Sequence, residues 1–268
     1  MKTLKTTFAI LFLMIAFISC SKDSKAPEPA IVTTPLVTQM VLTLPYITVA
    51  TNNTYDDQKR LASVGAANHI VTYRAGGFEI VDPYDNGVKL ITDVNLDNGR
   101  ISTVLSYSSD IDRYNSTFSY DSKGRLIEIQ QTETLNGQII DNSIYTYTWD
   151  DNDNLIASTY SDNQAAPVQT IYSGFSAENA NTLTGKNFGF DYFGTAGYPS
   201  NYTPNHNGGS GGTFPSIYAG KLLPSVITSP GRTLNLTYHK NALGYIDNIK
   251  QVNTNAPTDN SVIDIVYQ

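Results

Sequence analysis

From Leu36 onward, polar and apolar side chains alternate with a period of two, the spacing of strands with one buried face. Ile101, Thr103, Leu105 and Tyr107 fall on one side of such a pattern, with Ser102 and Ser106 on the other. Leu234, Leu236 and Tyr238 alternate with Asn235, Thr237 and His239, and Ile263, Ile265 and Tyr267 alternate with Asp264. Asn86-Gly87, Asn98-Gly99 and Asn136-Gly137 punctuate these runs. Asn and Gly accept positive φ at low cost, which two-residue hairpins require, so consecutive strands are predicted to be antiparallel neighbours. The pattern therefore predicts an all-β fold, a single antiparallel meander of consecutive hairpins forming a large curved sheet or partly closed barrel. It lapses from about Gly174 to Pro230, where Gly, Asn, Pro and aromatics crowd together, and a long irregular aromatic and Gly-rich insertion is expected there.

The first residues follow different rules. Lys2 and Lys5 precede an apolar run from Phe8 to Ile18, then Ser19 and Cys20. That run is well short of the roughly 20 residues a helix needs to cross a bilayer, so it fits a cleaved export signal. A cysteine directly after the small residue at the cleavage point is the acceptor of a lipoprotein's diacylglycerol. Cys20 is also the chain's one cysteine, so no intramolecular disulfide or cysteine metal cluster is available. Residues 1–19 are accordingly expected as signal peptide, 20–35 as lipidated cysteine and flexible Pro-bearing tether, and 36–268 as one β domain. Loss of Lys2 and Lys5 takes the formal charge from −7 to −9. An acidic chain argues against nucleic acid, which needs clustered Lys and Arg.

A degenerate repeat marks several of the reversals. Tyr120-Asp121-Ser122-Lys123-Gly124-Arg125-Leu126 is followed by Trp149-Asp150-Asp151-Asn152-Asp153-Asn154-Leu155. Looser copies start at Tyr55, Leu96 and Tyr238. The logic is local: an aromatic ends one strand, Asp caps turn amides through its carboxylate, Gly or Asn takes the left-handed position, and an aliphatic begins the return strand. These Tyr-Asp and Gly-Arg-Leu elements resemble the YD repeats of RHS-type proteins. Together with the Cys20 leader, the chain resembles Bacteroidetes surface lipoproteins of uncharacterised domain families with a porin-like β fold. The resemblance implies a broad hairpin-built sheet and an outer-membrane lipoprotein. Ser21-Lys22-Asp23 is similar to the residues that accompany export to the cell surface in that group, the alternative being a periplasm-facing protein.

Candidate chemistry is sparse. Gly208-Gly209-Ser210-Gly211-Gly212 matches a nucleophile elbow in letters, but Pro204 and Pro215 flank it where a strand and a helix are needed. Asp150, Asn152 and Asn154 place oxygens at alternate positions as a calcium loop does, without its glycine or its closing glutamate, so an Asx-rich turn is the better reading. His69, His206 and His239 have no second ligand at metal spacing. No catalytic residue and no cofactor is nominated.

The most suggestive feature is aromatic. Tyr145, Tyr147 and Trp149 share one strand face, and Tyr192, Tyr198 and Tyr202 fall in the irregular stretch. Such rings can stack on sugars, or instead pair across strands and hold the sheet together. The expectation is a non-enzymatic envelope protein that binds an extracellular glycan or protein. A purely structural scaffold and a glycan-directed hydrolase with an unmarked acid pair are the alternatives. The polar side of the strands is too rich for lipid, so a β domain in water, on a lipid tether, is expected rather than a transmembrane barrel.

Overall fold

The computed structural model describes residues 35–64, 69–82, 90–107, 112–179 and 221–268. Cys20 and its tether, Asn86-Gly87, Tyr192, Tyr198, Tyr202, His206 and the Gly208–Gly212 run lie outside them. In chain order the strands are β1 Val37–Thr43, β2 Thr48–Asn52, β3 Thr54–Tyr55, β4 Leu61–Val64, β5 His69–Arg74 and β6 Gly77–Asp82. They continue as β7 Leu90–Asp97, β8 Arg100–Tyr107, β9 Asp112–Tyr120, β10 Leu126–Leu135, β11 Gln138–Trp149 and β12 Leu155–Asp162. The last are β13 Val168–Asn179, β14 Leu222–Ser229, β15 Arg232–Lys240, β16 Ile246–Asn253 and β17 Ser261–Tyr267, with one 3-10 turn at Pro257–Asp259.

From β3 to β17, every strand pairs antiparallel with the next. The first strand then closes the meander, pairing with β17 on one side and β2 on the other. Asn53 alone separates β2 from β3, so the wall is a nearly closed barrel of sixteen staves. At one end, here the near rim, Leu36 and Gln268 exchange backbone hydrogen bonds of 3.3 and 2.8 Å. The hairpins alternate between this rim and the far rim. Two of the Asn-Gly pairs form the expected turns, with φ of +50 and +78° at Asn98-Gly99 and +49 and +76° at Asn136-Gly137.

The repeat encodes a particular near-rim reversal. The Asp121 N–H donates to the Arg125 carbonyl and the Gly124 N–H to the Asp121 carbonyl, both at 2.9 Å, while Asp121 Oδ1 accepts from the N–H groups of Lys123 and Arg125. The same four bonds recur at Asp56, Asp150 and Asn241. The fourth turn residue is left-handed each time, at φ +60° for Lys59, +80° for Gly124, +65° for Asp153 and +84° for Gly244. The copy at Leu96 differs: Asp97 pairs directly with Arg100 around the shorter Asn98-Gly99 turn.

After every one of these turns a bulge follows the first aliphatic. Leu126 opposes Tyr120 but Glu128 opposes Ser119, so Ile127 has no partner across the ladder. Ala62, Ser102, Ile156 and Asp247 are passed over in the same way. A one-residue bulge reverses the facing of everything after it. Ile101 therefore faces inward with Val104 and Ser106, while Thr103, Leu105 and Tyr107 face outward. Period-two counting groups Ile101 with the latter three, because it does not see the bulge.

The inward rows form two apolar clusters. One gathers Leu223, Ile227, Leu234, Leu236, Ile246, Ile249, Ile263 and Ile265, the other Phe78, Ile80, Val94, Val104, Phe118, Leu126 and Ile129, and Tyr147 packs against both. Each buried Leu or Ile contributes about 1.5–3 kcal/mol. Strand also occupies both flanks of the stretch expected to be irregular, since β13 runs to Asn179 and β14 opens at Leu222. Gly174, kinked at φ +60°, and the buried Pro224 broke the alternation there.

Candidate functional site

The described part of the near rim is largely committed to its own structure. The β10–β11 ladder stops at Glu128, two residues short of Leu126, which would leave the Leu126 carbonyl orphaned. The Trp149 indole N–H on β11 donates to it at 2.8 Å. Ladders stop two residues short at Ile101, Ile246 and Val37 as well. There the hydroxyls of Tyr120 and Tyr267, each on the adjoining strand, and of Tyr55 on β3 donate instead, joined at Val37 by Asn53 Nδ2. A second layer covers three of these rings and the neighbouring Tyr73. Arg125 lies over Trp149 and Arg100 over Tyr120, both at 5.7 Å to the ring centroid, Arg60 over Tyr73 at 4.3 Å, and the Tyr245 ring packs on Tyr267 at 5.7 Å.

Burial pushes the Tyr120 hydroxyl up to about 12 and shifts Tyr55, Tyr238 and Tyr267 upward too. The turn carboxylates move the other way. The Arg125 backbone N–H, with the Arg125 side chain, holds Asp121 below the usual carboxylate range, and Arg60 does the same for Asp56. At Asp150 burial opposes the shift, but the amides of Asn154 and Asn152 prevail. Both Asp150 oxygens are occupied: Oδ1 accepts from the N–H groups of Asn152 and Asn154, and Oδ2 from Asn154 Nδ2 at 2.9 Å. Of the oxygens considered for calcium, the two of Asp150 are thus those of an Asx turn. Asn154 and Asp153 in turn hold the return of the chain, accepting from the N–H groups of Leu222 and Lys221.

Toward the far rim the inward face changes character. On β11 the inward row runs Trp149, Tyr147, Tyr145, Ser143, Asp141; on β10 it runs Leu126, Ile129, Gln131, Glu133. Beside them β9 places Phe118, Ser116 and Tyr114, and β12 places Tyr160 and Asp162. Apolar side chains thus give way to hydroxyls, amides and carboxylates within a few residues. Tyr145, Tyr147 and Trp149 share one face as expected, but that face is the lumen, and Ile144, Thr146 and Thr148 look outward.

The polar end of these rows is a shelf of short hydrogen-bonded groups. The Tyr114 hydroxyl donates to Glu133 at 2.8 Å and the Tyr160 hydroxyl to Asp162 at 2.9 Å. Gln131 spans Ser116 and Ser143, and Thr92 meets Ser106 at 3.0 Å. The Tyr145 and Tyr160 rings are 4.9 Å apart. Burial, then Asp162 and Asp141 nearby, push both hydroxyls upward. Glu133 and Asp141 stand directly opposite each other across β10 and β11, and Asp141 Oδ1 is buried without a hydrogen-bond partner among the described residues. Like charges in that position are destabilising, and an unsatisfied buried oxygen adds to the strain.

This polarity sits on a known outline. Of two solved structures similar to the chain, one is a porin-like protein from Bacteroides vulgatus ATCC 8482, with a TM-score of 0.56 at 11% identity over 87% of this chain and 99% of that one. The other, a porin-like protein from Bacteroides uniformis ATCC 8492, gives a TM-score of 0.59 at 14% identity over 87% and 96%. The fold is porin-like. No protein-family model matches the chain, and no curated relative matches it. At such identities the likeness concerns the fold alone, and within this porin-like fold the shelf is defined by the chain's own residues. A tyrosine pair beside carboxylates, with serines and an amide behind it, can hydrogen-bond hydroxyl groups and stack on a ring.

Sequence reasoning passed over Tyr114, Glu133, Asp141, Tyr160 and Asp162. Parity offered one signal, since Asp141 and Ser143 share a face with Tyr145. The Asn136-Gly137 turn alone would have placed Glu133 opposite Ile140; a bulge between Glu133 and Thr134 places it opposite Asp141 instead.

Proposed function

We propose that the chain is a lipid-anchored, non-enzymatic binding module of the outer membrane, held by acyl chains on Cys20, exposed at the cell surface, with its barrel standing in water. One observation carries this reading: on strands such as β9 the outward row is polar while the row between is buried. Arg113, Asn115, Thr117 and Ser119 on β9 are exposed while Tyr114, Ser116 and Phe118 between them are buried. A barrel that crosses a membrane requires the opposite, an outward apolar band about 25 Å tall. The ligand best matched to the tyrosine and carboxylate shelf is a hydroxyl-rich molecule such as a glycan. The near-rim turns are read as diverged YD repeats, because four of them share one hydrogen-bond scheme.

The test is release. Cys20→Ala is expected to free the protein from membranes in folded, detergent-independent form. A variant that still pellets with membranes and resists carbonate extraction would end the reading. Tyr160→Phe and Asp162→Asn should then weaken retention on immobilised polysaccharide without altering the melting curve.

A second reading, a scaffold with no soluble ligand, is favoured by the occupancy of the near-rim aromatics. Trp149, Tyr120, Tyr55 and Tyr267 all serve the chain's own carbonyls. No retention across a broad glycan panel would favour it. Product release abolished by one change among Glu133, Asp141 and Asp162 would instead point to a hydrolase.

A further inference from the structure

The hairpin of β10 and β11 outruns its neighbour on one side. The β11–β12 ladder begins at Ser143 opposite Asp162, so among the described residues no strand lies beside Gln138, Ile139, Ile140, Asp141 and Asn142 there. The Asn142 N–H is met by Asn163 Oδ1 at 3.0 Å. An unpaired edge is a template for another strand, and proteins usually blunt it with Lys or Pro. Neither occurs between Thr132 and Thr148. Ile139 and Ile140 are instead 62% and 43% exposed, beside Leu135 at 40%. The bulge at Ile140, a feature that elsewhere discourages pairing, here leaves both isoleucines in solvent.

Along β10, β11 and β12 the charged side chains are of one sign, the nearest cation of the described residues being Arg113 on β9 opposite Thr134. Glu133 and Asp141 face each other, Asp162 lies at the end of the neighbouring strand, and Asp141 Oδ1 lacks a partner among the described residues. A second copy of the chain would bring the same carboxylates together and be repelled.

We propose that this edge accepts an extended strand of another polypeptide, apolar where it meets Ile139 and Ile140 and bearing Lys or Arg near Asp141. Main-chain bonds would supply affinity and the carboxylates selectivity, as in other strand additions. The proposal rests on the barrel standing in water. That premise is read separately by the release of Cys20→Ala from membranes.

The experiment uses the full chain in mild detergent and two labelled probe peptides. Both alternate valine and threonine; one carries lysines near its centre and the other glutamates. The lysine peptide is expected to slow hydrogen exchange of the amides at 138–142 and to bind roughly tenfold tighter than its counterpart. Ile140→Pro and the milder Ile139→Lys should both abolish protection while Trp149 fluorescence stays unchanged. Equal binding of the two peptides, or no protection by the lysine peptide, would overturn the proposal. So would self-association of the chain that Ile139→Lys abolishes, since a second copy would then own the edge.

Discussion

The two rims of this barrel are made from the same strands and solve opposite problems. At the near rim ladders end early, and Trp149, Tyr120, Tyr267 and Tyr55 cap the carbonyls left behind. At the far rim the inward rows end in Glu133, Asp141 and Asp162, and apolar side chains such as Tyr46, Ile47, Ile139 and Ile140 are exposed. The near rim commits its rings to the chain's own carbonyls, with Asn53 Oδ1 its one buried oxygen without a partner among the described residues, while the far rim leaves Asp141 Oδ1 without one and several isoleucines in solvent. Proteins tolerate such local inconsistency chiefly at functional sites, which is why the far rim, rather than the richer aromatic collar, holds the candidate site.

The contrast is broken most directly through the core. Ile246 is fully buried beside the near rim, and Ile246→Ala should lose about 2–5 kcal/mol in urea unfolding. Ser261→Ala, which removes the hydroxyl that Gln251 accepts from at 2.9 Å near the far rim, should lose about 1 kcal/mol. Equal losses would mean that the buried Ile246 contributes no more than that single hydrogen bond.

Glycines sharpen it next. Gly124 and Gly137 both have positive φ, at +80 and +76°, but a Cβ on Gly124 would overlap the Arg100 guanidinium while one on Gly137 meets open space. Both alanine variants carry the backbone strain of about 1 kcal/mol. Gly124→Ala should lose more, because the Arg100 stack on Tyr120 must also shift. Thermal melts that show the two equally destabilised would deny that near-rim packing.

Acid should act on the same turns. Asp56, Asp121 and Asp150 have pKa values below the ordinary range, so their contribution is present above the unfolded value of about 4 and is lost as pH falls through the folded values. The melting temperature should therefore decline steeply below about pH 4, and less so in Asp121→Asn, where one of these groups no longer titrates. At the alkaline end the raised tyrosines contribute stability below about pH 10 that disappears as pH climbs past their folded values.

Much of this was legible in the residues. Period two, the Asn-Gly turns and the Asp-centred repeats led to antiparallel hairpins and a curved or partly closed sheet. The repeats hid their own bulges, since Ile127 or Ser102 looks like any strand residue until its neighbour across the ladder is known. For that reason the inward facing of Tyr145, Tyr147 and Trp149 and the opposition of Glu133 to Asp141 were not legible. Facing depends on which side of a closed wall is interior, a property of all the staves together. The seam between β1 and β17 was equally silent, although Val37 opposing Tyr267 and the skipped Thr38 repeat the register of Leu126, Tyr120 and Ile127.

The smallest expected effect is the most discriminating, because its sign is reversed. Asp141 faces Glu133 across the ladder and has a buried oxygen without a partner among the described residues. If that arrangement serves a partner or ligand and not the fold, Asp141→Asn removes a like-charge repulsion and should stabilise the protein by up to about 1 kcal/mol, read as a higher urea midpoint. The same change should weaken capture of the lysine peptide. A lower midpoint would show that the carboxylate supports the far rim as the Asp turns support the near one, and the asymmetry between the two ends would lose its functional meaning.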